Sequence, residues 1–134
     1  MLTDQAGASS FLERSVVTYA NSAKIDCLHV PADIIEQHGA VSAACAVAMA
    51  RGVKTASRTD IGLAVTGIAG PDGGTDDKPV GTVFMAINGP YGERVERFHF
   101  PGNRDQVRMR TACIALDWLR RQAMQRIASV AQED

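Results

Sequence analysis

The sequence predicts an α/β fold, a three-layer α/β/α sandwich around a mixed sheet. Three observations carry that expectation. Helical and strand-like segments alternate along the 134 residues. One strand-like run, "DIGLAVTG", is continuously apolar, as a strand covered on both faces would be. A long final helix repeats apolar residues at helical spacing and so has one face to bury.

The elements follow in order. "RSVVTYA" (Arg14–Ala20) is short, β-branched and aromatic, which predicts a strand. "NSAKIDCLHV" predicts a helix with Asn21 or Ser22 as its cap. "PADIIEQHG" predicts a short helix, with Pro31 near its first position and Gly39 just past its end. Ser42 is placed to cap an alanine-rich helix running to about Ala56. "DIGLAVTG" is the buried strand, and "VGTVFMAINGPYGERVERFHF" is a hairpin turned by Gly-Pro-Tyr-Gly. Asn103 then caps a helix ending near Ile127, with Val107, Thr111, Ile114 and Trp118 as its inward stripe. A single domain over residues 1–127 is expected, and residues 128–134 read as a disordered tail.

Bulk properties narrow the function. With 46% hydrophobic and 22% charged residues, the chain is of ordinary globular composition and long enough to bury a core unaided. Fourteen basic residues against fifteen acidic ones exclude the basic domain that a nucleic-acid partner requires. Eleven of those basic residues are Arg and six of the arginines follow Asn103, which allows one local basic surface. Cys27, Cys45 and Cys113 show no CxxC pattern and read as reduced, buried thiols. No apolar run is long enough to span a membrane and no leader opens the chain, so a cytoplasmic location is expected.

Three groups of residues bear on chemistry. "VTGIAGPDGGTDDKPVGTV" inserts a long glycine-rich loop between two strands. Gly67, Gly70, Gly73 and Gly74 free its backbone, and successive N–H groups there suit an anionic or carbonyl oxygen. A long surface turn relieved by glycines is the other reading; loops of this length without structure are more often functional. Neither GxxxxGK[ST] nor GxGxxG is present. In "TYANSAK", Lys24 falls in the first turn of a helix, where the dipole opposes a cation. Partial desolvation would push its pKa down, as a general base needs, with the Tyr19 hydroxyl alongside. A solvated lysine beside a half-buried tyrosine fits the same spacing and is commoner. In "PGNRDQVRMR", Arg104 and Arg108 share a helix face near an N-terminus that attracts anions; they hold a phosphate or are simply solvated. His29, His38 and His99 lack metal-ligand spacing, and Asp72, Asp76 and Asp77 read as solvated loop acids.

Taken together, "LTDQAGASSFLERSVVTYANSAK", "HGAVS", "TGIAGPDGGTDDKPVGTV" and "FPGNRDQVR" resemble the CinA C-terminal domain family in order and spacing, from Leu2 to about Arg121. That family includes nicotinamide-nucleotide amidohydrolases. The resemblance implies hydrolysis of the carboxamide of nicotinamide mononucleotide to nicotinic acid mononucleotide and ammonia, in pyridine-nucleotide salvage, without cofactor or metal. It implies catalytic roles for Tyr19 and Lys24 beside a nucleophile. It implies a ligand-facing loop through Thr66, Gly67, Ala69, Gly70, Gly73, Gly74 and Thr75, and a phosphate held by Arg108 with Arg104. A neutral lysine would take a serine proton, loop N–H groups would stabilise the oxyanion, and the arginines would anchor the phosphate. All of these are expected to meet in one cleft shaped for a mononucleotide.

One departure stands out. The family's nucleophilic serine lies in an A-E-S-C-T-G-G segment ahead of the L-T-D with which this sequence opens, so the family's first strand and most of its first helix are expected to be absent. A reading frame opened too late, a relative keeping the pocket without the chemistry, and substitution by Ser9 or Ser10 are the three explanations. Matching serines coexist with the usual nucleophile in the family, which favours a turn-capping role for Ser9 and Ser10. A sheet short of one strand exposes unpaired edge groups, and a homo-oligomer is therefore expected.

Overall fold

Four helices and three strands form the body of the chain in a computed structural model that describes residues 1–133. The helices are α1 (Asn21–Leu28), α2 (Ala32–His38), α3 (Ala43–Ser57) and α4 (Arg104–Glu133). The strands are β1 (Gly62–Gly67), β2 (Thr82–Gly89) and β3 (Gly92–His99). They pair in the order β1-β2-β3.

The middle strand explains the layering. Along β2 successive side chains point to opposite faces. Phe84 and Ala86 join Ala64 of β1 and Cys45, Ala46, Met49 and Ala50 of α3 in one core. Val83, Met85 and Ile87 join Val107, Ala115 and Trp118 of α4 in the other. The predicted α/β/α sandwich is thus present, with β2 shared by two cores. Both strand pairings are antiparallel, whereas a mixed sheet was expected.

The predicted strand Arg14–Ala20 is where the two differ. The segment carries no strand and lies outside the sheet, with Val17 and Tyr19 86% and 83% exposed. Strand propensity is expressed only against a partner strand, and no described strand pairs with it. The second correction concerns β1. Its Ala64 and Thr66 are buried toward α3, but Val65 on the other face is 40% exposed. On that face Leu63 packs against the α4 core, so the second face of β1 is covered only in part.

Local chemistry sets most helix ends as read from sequence. Pro31 and Gly39 flank α2. The Ser42 hydroxyl accepts from Cys45 N at 3.1 Å and donates to Gly39 O at 2.8 Å. Asn103 Oδ1 accepts from Gln106 N, and Gln106 Oε1 accepts from Asn103 N, a reciprocal capping box. For α1, by contrast, Ala20 holds the cap position with no side-chain bond, and Asn21 and Ser22 lie inside the first turn. Helix α4 continues past Ile127 to Glu133. The Tyr91 hydroxyl meets Ser129 Oγ at 2.7 Å and Arg126 pairs with Asp60, so the stretch read as a tail includes helix. Of the three free cysteines only Cys45 is buried; Cys27 and Cys113 are exposed.

Replacing Ser42 by Ala removes the cap of α3 and leaves Cys45 N unpaired in a buried place. Loss of such a cap costs about 1 kcal/mol, to be read from the denaturant midpoint at unchanged slope. No helix among the described residues is long and apolar enough to cross a membrane.

Candidate functional site

Strand β1 ends at Gly67, and the chain travels through residues 68–81 before re-entering the sheet as β2. The base of this loop is closed by Ile68 N to Thr82 O at 2.9 Å and Gly81 N to Ile68 O at 2.7 Å. Its far end is tightened by Thr75, whose N–H donates to Lys78 O at 2.9 Å and whose hydroxyl accepts from Lys78 N at 3.0 Å. Between them the loop folds over Val80. A Cβ on Gly70 would lie 2.5 Å from Val80 Cγ1, and one on Gly74 2.7 Å from Val80 N. These two glycines are therefore demanded by packing within the loop itself. The N–H groups of Gly73 and Gly74 have no protein partner among the described residues.

Cations pin the loop from both sides. Arg104 donates to Gly70 O at 3.0 Å, Lys78 Nζ to His38 O at 3.0 Å, and Arg97 to Asp77 O. Thr66 Oγ1 donates to Ala40 O at 2.7 Å, tying the end of β1 to the turn before α3. The loop consequently lies at one end of the sheet, where the N-termini of α3 and α4 both arrive. Two helix starts there favour negative charge. Sequence reading missed Lys78 and Arg97, because a cation that bonds distant carbonyls has no spacing to betray it. Gln106 was legible, three residues beyond the cap Asn103.

On the α4 side of this end is a cleft of about 310 Å³, mostly apolar, lined by Thr66, Gly67 and Ala69 on one wall and Val107, Arg108 and Thr111 on the other. Arg108 stands at its rim, its side chain 67% exposed and lightly engaged by Asp105 at 3.5 Å. Thr66, Gly67, Ala69 and Arg108 are thus brought together, with Gly70 and Arg104 bonded beside them. Gly73, Gly74 and Thr75 do not line the cleft.

Lys24 and Tyr19 lie elsewhere. Lys24 is buried at 6% exposure, its Nζ donating to Thr18 O at 2.8 Å and reaching Tyr19 O at 3.4 Å. Burial pushes the thiol of Cys45, in the first turn of α3, up, and the charge of Lys24 pulls the other way. The ammonium therefore sits beside the first turn of α3. Tyr19 offers Lys24 its carbonyl while its side chain is exposed, so the hydroxyl is not beside the lysine as expected. Neither Lys24 nor Tyr19 is among the residues that line the cleft. Ser10 Oγ donates to Gly7 O at 2.8 Å, a turn contact. Asp72, Asp76 and Asp77 are exposed, and no group of three His, Cys, Asp or Glu that could hold a metal occurs among the described residues.

The family model described as "CinA C-terminal domain" matches residues 1–123. The chain belongs to the CinA C-terminal domain family. It is 62% identical over 121 residues to a CinA-like protein of Syntrophotalea carbinolica, covering 90% of this chain and 29% of that protein. A CinA-like protein of Geotalea daltonii is 54% identical, covering 93% of this chain and 30% of its own length. The chain thus spans less than a third of the curated CinA-like relatives it matches. Among solved structures, the competence/damage inducible protein CihA from Agrobacterium tumefaciens superposes with a TM-score of 0.87 at 38% identity, covering 90% of this chain and 74% of that one. The competence damage-inducible protein A from Klebsiella pneumoniae gives 0.86 at 36% identity, with 92% and 76% covered. These CinA proteins share the fold described above.

Proposed function

We infer that this CinA domain supplies the nucleotide-holding part of a nicotinamide-nucleotide amidohydrolase, which hydrolyses the carboxamide of nicotinamide mononucleotide to nicotinic acid mononucleotide and ammonia. The observation that carries the reading is Arg108 at the rim of an apolar cleft walled by Thr66, Gly67 and Ala69, at the start of α4. A guanidinium beside a helix N-terminus suits a phosphate, and the apolar walls suit a planar ring.

The nucleophile is a serine in the A-E-S-C-T-G-G segment that the resemblance implies; that segment is not found in residues 1–134. Lys24, already bonded to two carbonyls, would take that serine's proton when the segment lies against the α1–α3 layer. A second reading is a binder of the nucleotide without turnover, which an exposed Arg108 at the rim of an apolar cleft serves equally.

Ammonia release from nicotinamide mononucleotide separates the two. It is measured on the 134-residue chain and on a version preceded by an A-E-S-C-T-G-G segment, with ligand binding followed by calorimetry on both. The amidohydrolase reading expects turnover in the extended form alone and binding in both. Binding without turnover in either form selects the second reading, and absence of binding in both overturns the site.

A further inference from the structure

The sequence sets an Asp or Asn directly before a glycine at two places, Asp72-Gly73 and Asn88-Gly89. At such a pair the chain is able to attack itself. The glycine nitrogen, with no side chain beside it, reaches the preceding side-chain carbonyl carbon and closes a cyclic imide, a succinimide. On chemistry alone Asn88 is the more reactive of the two, because ammonia leaves its amide more readily than water leaves an acid.

The fold reverses that order. Asn88 lies in β2, opposite Gly62 of β1 on one side and Glu93 of β3 on the other. Its Oδ1 accepts from Lys54 Nζ at 3.0 Å and its Nδ2 donates to Glu93 Oε2 at 3.0 Å, and Arg51 holds Glu93 in turn. Turning that side chain back onto Gly89 breaks both bonds. Asp72 is under no such restraint. It is exposed and outside helix and strand, and no ion pair among the described residues includes it. The pins of the loop fall to either side, Arg104 on Gly70 O before it and the Thr75–Lys78 bonds after it. Pro71, Asp72 and Gly73 lie between them without a backbone hydrogen bond among the described residues, so the Gly73 nitrogen is not committed elsewhere. Where a Cβ on Gly73 would stand, only Ile68 Cγ2 is near, at 3.6 Å.

We propose that Asp72 is a site of spontaneous main-chain isomerisation to isoaspartate. Gly73 N attacks the Asp72 side-chain carboxyl carbon while that group is protonated. The carboxyl hydroxyl leaves with the amide hydrogen as water, and the succinimide closes. Water then adds back at either imide carbonyl. Opening at the side-chain carbonyl restores aspartate. Opening at the main-chain carbonyl breaks its bond to nitrogen, frees a carboxylate there and leaves Gly73 joined through the side chain. Mass is unchanged and no electrons are exchanged. The main chain is longer by one methylene just ahead of Gly74, which lies so close to Val80 that a Cβ on it would stand 2.7 Å from Val80 N. The packing of the loop on Val80 is therefore what the modification disturbs. No nucleotide enters this chemistry, so its failure and that of the amidohydrolase reading are separate results.

The test is storage of the purified chain in warm neutral buffer. Residue 72 is followed by electron-transfer fragmentation mass spectrometry, which separates the two isomers of equal mass, and by methyl transfer from an isoaspartyl methyltransferase. The expected result is isoaspartate accumulating at residue 72 while Asn88 keeps its amide. Asp72→Glu keeps the charge at an exposed position and loses the methyl acceptance, because the larger ring closes far more slowly. In urea the strand no longer holds Asn88, and there Asn88 reacts ahead of Asp72. A folded chain that keeps an ordinary aspartate at 72, or in which Asn88 reacts first, overturns the proposal. So does an Asp72→Glu chain that accepts methyl groups as fully as the unaltered one, which places the reaction at another residue. An order of reaction that is the same folded and in urea removes the fold as its cause and overturns it equally.

Discussion

Gly52→Ala is expected to lower the melting temperature by about 6–10 °C. Gly52 lies on the face of α3 against which α1 ends. A Cβ there would stand 1.9 Å from Leu28 O and 2.9 Å from Leu28 C. Both are backbone atoms, so no rotamer change makes room and the end of α1 must move as a body. That movement strips Leu28 and Val30 from the core they share with Cys45, Ala46 and Ala50. Forced overpacking costs about 3 kcal/mol at the upper end of its range. The helix gains about 1 kcal/mol in return when Gly becomes Ala, and the backbone displacement outweighs it. For a domain of this size each kcal/mol moves the midpoint by about 3–5 °C. Thermal unfolding followed by circular dichroism measures the shift; an unchanged or raised midpoint would show that α1 is not seated on Gly52.

Arg108→Ala is expected to weaken nicotinamide mononucleotide binding by about 10- to 100-fold, the equivalent of one or two charge-assisted hydrogen bonds. The side chain is 67% exposed and only lightly held by Asp105, so folding is unaffected and the loss falls on the ligand. Arg104→Ala acts differently. It releases Gly70 O and loosens the loop, so its cost appears as faster exchange of the loop amides as well as weaker binding. Arg108→Lys keeps the charge but not the planar fork and recovers only part of the affinity. Calorimetric affinities for the three variants decide the point, and an Arg108→Ala chain that binds as the unaltered one does would remove the phosphate from this end of α4.

What could be read in advance is what local chemistry controls. Ser42 and Asn103 cap because their side chains reach their own helix starts, and Gly39 ends α2 because of its own backbone. The spacing of Val107, Thr111 and Trp118 alone fixes which side of α4 turns inward. The errors share a different origin. Ser15–Tyr19 has the composition of a strand, but pairing depends on a partner from any part of the sequence, and here none of the described strands supplies it. Placing Lys24 in the first turns of α1 was correct, yet spacing could not say that Thr18 O and Tyr19 O would receive its ammonium. Nor could it say that α1 packs on the opposite side of the sheet from α4. Gly70 and Gly74 were recognised as special, but the reason, contact with Val80, is tertiary. Cys27 and Cys113 were expected to be buried as most thiols are, and their exposure follows from which helix faces the two cores leave outside.

The chain's one tryptophan lies where α4 meets the sheet. Trp118 is 5% exposed, with the Phe98 ring 5.9 Å away and the Arg94 guanidinium 4.1 Å from its own ring centre. Its ultraviolet emission therefore belongs to one core alone, whereas the α1–α3 side is optically silent at that wavelength. Since β2 serves as a common wall, detachment of either side removes support from the other. Indole fluorescence and backbone ellipticity should accordingly fade at one temperature, so that a single buried chromophore reports the cohesion of both halves.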